Sequence, residues 1–187
     1  MTKLGIVLGA TRPGRVGPQV ARWIEKTARG CEDAEFELVD VADYDLPLFD
    51  EPQSPLMGAY EHAHTRAWGA RIAELDGFVF VTPEYNRSIP AALKNAIEFL
   101  YSEWGNKAAG FVAYGSNVSG ARAVEHLRLI AAALHLATVR TQVNLSLVTD
   151  FENFTTFTPA ERHDAALRQM LTEVISWTNA LAPLRRA

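Results

Sequence analysis

The feature that most constrains this chain is an unbroken alternation: runs of β-type apolar residues, each followed by a helical pattern. Lys3–Gly9 reads as a buried first strand, and Val16–Ala28 follows with Val16, Val20, Trp23, Ile24 and Thr27 at helical spacing. Glu35–Val41 is a short alternating strand that gives way to an irregular stretch, Tyr44–Met57, holding three of the nine prolines. Tyr60–Leu75 carries Trp68, Ile72 and Leu75 on one helical face. Gly77–Val81 is apolar throughout, as a central strand covered on both sides must be. Ala91–Tyr101 is a helix with Pro90 in its first turn, where a missing N–H costs little. Lys107–Tyr114, Gly120–Leu136, Thr138–Leu147 and Pro159–Leu181 complete the series as strand, helix, strand and helix. Five strands interleaved with five helices predict a doubly wound parallel α/β sheet, helices on both faces, in a single domain spanning residues 1–187.

Composition narrows the function classes. Hydrophobic residues make up 48% of the chain, enough to cover both faces of such a sheet. The net charge of −4 comes without a long block of either sign, which argues against a nucleic-acid surface. The lone Cys31 excludes an intramolecular disulfide and a four-cysteine zinc site. No apolar run approaches the ~18 residues of a membrane span, and the first strand begins too early for a signal peptide. A cytoplasmic protein with neither nucleic-acid nor membrane partners is expected. His62 and His64 stand two apart on a predicted helix, where they do not share a face, so they do not suggest a metal site. Phe151–Pro159 is the loosest stretch and is expected to pack against a neighbour through Phe151, Phe154 and Phe157.

Two loops carry the chemistry. Gly9-Ala-Thr-Arg-Pro-Gly-Arg-Val-Gly17 joins the first strand to the first helix, where backbone N–H groups and the helix dipole favour an anion. Thr11, Arg12 and Arg15 add a hydroxyl and two guanidinium groups for charge-assisted bonds, and Gly14 lets the backbone approach closely. Gly14-Arg15-Val16 lacks the lysine and hydroxyl of a Walker A loop, and G-x-G-x-x-G is absent. The second loop, Thr82-Pro-Glu-Tyr-Asn-Arg-Ser-Ile-Pro90, follows the central strand. It offers backbone groups, polar side chains and Tyr85 to a flat ring, with Ser88 at or beside a helix cap. One loop for a phosphate and one for a ring suggest a flavin mononucleotide (FMN) site.

These segments resemble the NADPH-dependent FMN reductase family, which includes flavodoxin-like quinone, azo and chromate reductases. Gly9–Arg15 is similar to the family's G-S-x-R-x-G-R/S loop, and Pro83–Pro90 matches P-E-Y-N-x-S-x-P in full. Ala92–Ile97, Glu103-Trp104, Lys107 and the third loop, Tyr114-Gly-Ser-Asn-Val-Ser-Gly-Ala-Arg-Ala123, also look like the family. The resemblance implies a flavodoxin-like sheet of order 2-1-3-4-5. It implicates Thr11, Arg12, Arg15, Val16 and Gly17 in holding the flavin phosphate. Pro83, Glu84, Tyr85, Asn86 and Ser88 would lie along the ring, and Gly115, Ser116 and Asn117 at its far edge. Ala10 stands where family members usually carry a serine, so one phosphate hydrogen bond is missing and weaker FMN retention is expected.

The implied reaction is ping-pong: NADPH or NADH passes a hydride to flavin N5, and a quinone, azo compound, metal oxyanion or free flavin then takes the electrons. No side chain is required as a general acid, so no catalytic residue is assigned. Arg12 or Arg15 is a candidate for the 2′-phosphate of NADPH. The family commonly forms homodimers, with homotetramers as the alternative, which makes Trp68, Trp104 and the Tyr44–Met57 stretch interface candidates. A flavin-binding electron carrier without nicotinamide turnover is the competing reading; flavodoxin carriers are usually far more acidic than this chain.

Overall fold

The computed structural model describes residues 1–185. Its strands are β1 (Thr2–Leu8), β2 (Ala34–Asp40), β3 (Gly77–Pro83), β4 (Ala108–Gly115) and β5 (Ala137–Ser146). They form one parallel sheet of order β2-β1-β3-β4-β5. The helices are α1 (Gly17–Ala28), α2 (Ala63–Ala73), α3 (Ala91–Glu98), α4 (Ala121–Ala133) and α5 (Arg162–Arg185). Alternation within each strand feeds two separate cores. Phe78 and Phe80 of β3 join Phe111 of β4 under α2, α3 and α4. Val79 and Val81 point the other way, meeting Val112 of β4 and the apolar faces of α1 and α5. The doubly wound expectation and its strand order hold.

The aromatic residues settle one expectation differently. Trp68 and Trp104 are fully buried within this chain. Their indole N–H groups donate to the Ala96 carbonyl at 2.7 Å and the Ile97 carbonyl at 3.2 Å. They anchor the first core and are not available as interface residues, because a satisfied buried N–H and a large apolar ring favour the interior. Beside them the Lys107 ammonium donates to the Ile72 carbonyl at 2.8 Å, neutralising the carboxyl end of α2. Burial, with nearby Arg185, lowers its pKa to about 8.

Two further elements depart from the sequence reading. The helix expected from Tyr60 starts only at Ala63, because the buried Glu51 carboxylate accepts the N–H groups of Glu61 at 2.8 Å and His62 at 3.1 Å. His62 therefore precedes the helix, and its ring stacks on His64 at 5.2 Å; the two rings do share a side. Phe151–Phe157 closes into a small antiparallel hairpin, β6 (Phe151–Glu152) and β7 (Thr156–Phe157), turned by Asn153 and Phe154 with positive φ. Phe151 and Phe157 pack on each other and on Tyr114 and Trp23 of the same chain, leaving only Phe154 exposed.

Candidate functional site

Strand order reverses between β1 and β3, and in open α/β sheets ligands bind at the carboxyl ends of the strands flanking such a reversal. Here three loops meet: one after β1, one after β3 and one after β4.

The first loop enters α1 through Val16, which makes no side-chain cap, with Pro18 in the first turn. Gly14 takes φ of +70°, a left-handed conformation that glycine adopts without strain. The N–H groups of Ala10, Thr11, Arg12, Gly14 and Val16 bond to no backbone carbonyl among the described residues, while residues 12–15 form a turn. The loop therefore gathers unpaired donors at the positive end of a helix dipole. Arg15 is ion-paired with Asp40 and donates to the Thr11 carbonyl at 3.3 Å, yet its buried Nε has no partner. Arg12 is exposed and reaches across to the second loop, where its Nε donates to the Tyr85 hydroxyl at 3.0 Å. A cleft of about 250 Å³ opens beside Thr11, bounded by Val41, Asp45, Ala92 and Asn95.

The second loop is a tight two-residue turn. Tyr85 and Ser88 exchange N–H···O bonds at 2.8 and 2.9 Å, and Asn86 and Arg87 between them have φ of 48° and 69°. Two successive positive φ values describe a type I′ turn, for which asparagine is a favoured first residue and glycine the favoured second. Ser88 is thus a turn residue rather than a helix cap; α3 begins after Pro90, and the Ser88 hydroxyl bonds His126 Nδ1 at 2.9 Å. Glu84 is nearly buried and its carboxylate is taken by Arg122, with Nε at 2.6 Å and the backbone N–H at 3.3 Å. Arg122 and His126 are one turn apart on α4 and hold both ends of the Tyr85 turn. Neither is among the residues expected at the site, since nothing local says that Arg122 will meet the Glu84 carboxylate rather than a loop carbonyl, or that His126 will meet Ser88.

The third loop crosses close behind. A Cβ on Gly115 would lie 2.9 Å from the Gly120 nitrogen and 3.2 Å from Glu84 Cβ, so only glycine permits the crossing. Ser116 and Asn117 stand exposed at its tip. Tyr114, at the end of β4, is buried under the first loop, where its hydroxyl lies 3.3 Å from the position a Gly17 Cβ would take. Burial, reinforced by Tyr85, pushes this phenol well above its ordinary pKa and keeps it protonated. It too was missed as a site residue, though it shares parity with Val112 and so faces α1.

Ten of the thirteen residues expected at the site lie in these three loops, while Gly17 opens α1, Pro83 ends β3 and Gly115 ends β4. Their side chains are not equally free: those of Arg15 and Glu84 are already engaged in ion pairs.

Comparison with known proteins gives a consistent set. The family model described as NADPH-dependent FMN reductase matches residues 2–150. An NAD(P)H-dependent FMN reductase of Schizosaccharomyces pombe is 39% identical over 150 residues, covering 79% of this chain and 74% of that protein. A 2-hydroxy-1,4-benzoquinone reductase of a Burkholderia species is 32% identical over 140 residues, 72% of each chain. Among solved structures, the flavoenzyme NAD(P)H:(acceptor) oxidoreductase FerB of Paracoccus denitrificans superposes with a TM-score of 0.76 at 20% identity. That superposition covers 96% of this chain and 98% of that one, and speaks for the fold.

Proposed function

From the premise that this chain belongs to the NADPH-dependent FMN reductase family, we propose that its three-loop site holds FMN and serves a quinone-type acceptor. The protein is an FMN-dependent oxidoreductase that draws electrons from NAD(P)H. The observation that carries the site assignment is the chemistry of the first loop. The N–H groups of Ala10, Thr11, Arg12, Gly14 and Val16 without a backbone partner, the positive end of α1, the Arg12 guanidinium and the orphaned Arg15 Nε together call for a dianion. A flavin phosphate meets that demand.

Residues Thr11, Arg12, Arg15, Val16 and Gly17 would hold the phosphate. Pro83, Tyr85, Asn86 and Ser88 would lie along the ring. Gly115, Ser116 and Asn117 would border its far side. When bound, FMN would supply the redox chemistry of hydride and electron transfer. The chain's own residues bind and orient. Asn86 and Arg87 hold the ring shelf by their turn conformation, with N–H groups that bond to no backbone carbonyl among the described residues. Glu84 contributes through Arg122, which fixes the shelf to α4, rather than by touching the ligand with its carboxylate. The Arg12–Tyr85 bond spans the two loops and would bring the guanidinium to the phosphate while its partner ring borders the flavin. With Arg15 held by Asp40, Arg12 is the more available guanidinium.

Exposed Leu48, Leu56 and Met57, on the irregular stretch before α2, support self-association as a homodimer or homotetramer. No helix among the described residues is long and apolar enough to cross a membrane.

The test is an anaerobic absorbance titration of the FMN-reconstituted protein with NADPH and then NADH. Bleaching of the visible flavin band, reversed by a quinone, is expected. A bound flavin that neither nucleotide reduces would instead favour the electron-carrier reading.

A further inference from the structure

Resting on that functional reading, we propose that Arg87 is a specificity-determining residue, whose guanidinium takes the 2′-phosphate of NADPH at the rim of the site. NADPH differs from NADH only by that phosphate, so a preference between them must come from a group that meets it. A hydride donor must lay its nicotinamide on the flavin ring, which leaves its adenosine end over the rim. Arginine suits such a phosphate, because its planar fork donates two parallel hydrogen bonds. Four arginines stand in the three loops or in the helical turn that follows the third: Arg12, Arg15, Arg87 and Arg122.

Three of them are already engaged. Arg15 pairs with Asp40, and Arg122 with the Glu84 carboxylate. Arg12 donates to the Tyr85 hydroxyl and the Pro13 carbonyl, which ties it to the first loop and its phosphate. Arg87 is exposed at the tip of the second loop, and its side chain makes no hydrogen bond or ion pair among the described residues. Its backbone points the same way. At φ of 69° it holds the second position of the type I′ turn, which glycine fills without strain. A long side chain there costs stability, and no contact of its own within the chain offsets that cost. The exchanged Tyr85 and Ser88 bonds hold the conformation regardless, and strain kept in this manner is a mark of function. A guanidinium next to Tyr85 and Asn86, turned to solvent and without a counter-charge, is the group that an outer phosphate of a stacked dinucleotide would meet. The 2′-phosphate thus falls to the second loop rather than to Arg12 or Arg15.

The test uses the FMN-reconstituted protein and two variants. Arg87→Gly removes the charge and relieves the turn, whereas Arg87→Gln removes the charge and keeps the strain. Dissociation constants of NADP+ and NAD+ are measured by calorimetric titration, and kcat/KM for NADPH and NADH by turnover with a quinone. The parent is expected to favour the phosphorylated nucleotide. Both variants should lose that preference by roughly 5- to 20-fold, the low end for a hydrogen bond to a charged group because the guanidinium is exposed. Added salt should narrow the parent's preference and leave that of the variants unchanged. A parent without preference, or variants that keep it, would overturn the assignment while leaving the functional reading intact. A loss shared equally by both nucleotides, or confined to Arg87→Gly, would also overturn it, placing the effect in the turn. A bound flavin that neither nucleotide reduces would remove the functional reading, and this assignment with it.

Discussion

Replacing Arg122 by methionine tests whether α4 holds the Tyr85 turn in place. The Glu84 side chain is 6% exposed and that of Arg122 36%. The substitution keeps an apolar stem but deletes the Nε bond at 2.6 Å and the second guanidinium contact. Glu84 then retains only the Arg122 backbone N–H at 3.3 Å. Stranding a buried charge costs about 3–5 kcal/mol. Because the arginine is a third exposed, water can refill part of the gap, and a loss of ~2–3 kcal/mol is the better expectation. For a chain of this size that lowers the melting temperature by roughly 4–12 °C. Urea unfolding of the parent, Arg122→Met, Glu84→Gln and the double variant completes a cycle. Adding Glu84→Gln to Arg122→Met should restore most of the loss, since a neutral amide needs no counter-charge. The reasoning is refuted if Arg122→Met costs under about 0.5 kcal/mol, or if the amide restores nothing.

Three more expectations follow from single residues. Arg87 occupies the second position of the type I′ turn at φ of 69°. Arg87→Gly should therefore raise stability by on the order of 0.5–1 kcal/mol, the left-handed strain less glycine's entropy; a lower melting temperature would count against it. The Glu51 carboxylate is buried, which alone would raise its pKa, yet the Glu61 and His62 N–H groups help hold it below the usual value. A depressed folded pKa adds stability above the unfolded value of 4.5 that is lost as pH falls through the folded one. Glu51→Gln should thus weaken the protein at neutral pH and flatten its acid limb below about pH 4.5 in pH-resolved urea melts. Ala10 is buried beneath the first loop, and Ala10→Ser should restore a phosphate hydrogen bond and tighten FMN about tenfold; an unchanged dissociation constant removes that account.

The sheet was legible because parallel strands buried on both faces write themselves as unbroken apolar runs, and Phe78–Val81 is the plainest case. The first two loops were legible because glycine, arginine and the Pro83–Pro90 motif are local signals. What escaped depends on residues far apart in the chain. Glu51 shortens α2 from ten positions away. Arg122 and His126 reach back 38 residues to Glu84 and Ser88. The pairing of Arg15 with Asp40 spans 25. The β6–β7 hairpin was obscured for another reason: its turn uses Phe154 in a conformation that bulky residues seldom take, so no Asn-Gly signal announced it.

The same crossing that creates the site also dates it in the life of the chain. Arg12 and Tyr85 are 73 positions apart, and Tyr114 must arrive later still to underlie Gly17. Contacts between such remote segments await costly loop closure, and parallel sheets form them slowly. The first loop is thus synthesised early and becomes competent late, once most of the sheet has assembled. A flavin in the refolding mixture should accordingly leave the refolding rate almost unchanged and slow unfolding instead, because it recognises a surface that exists only after the main barrier is crossed.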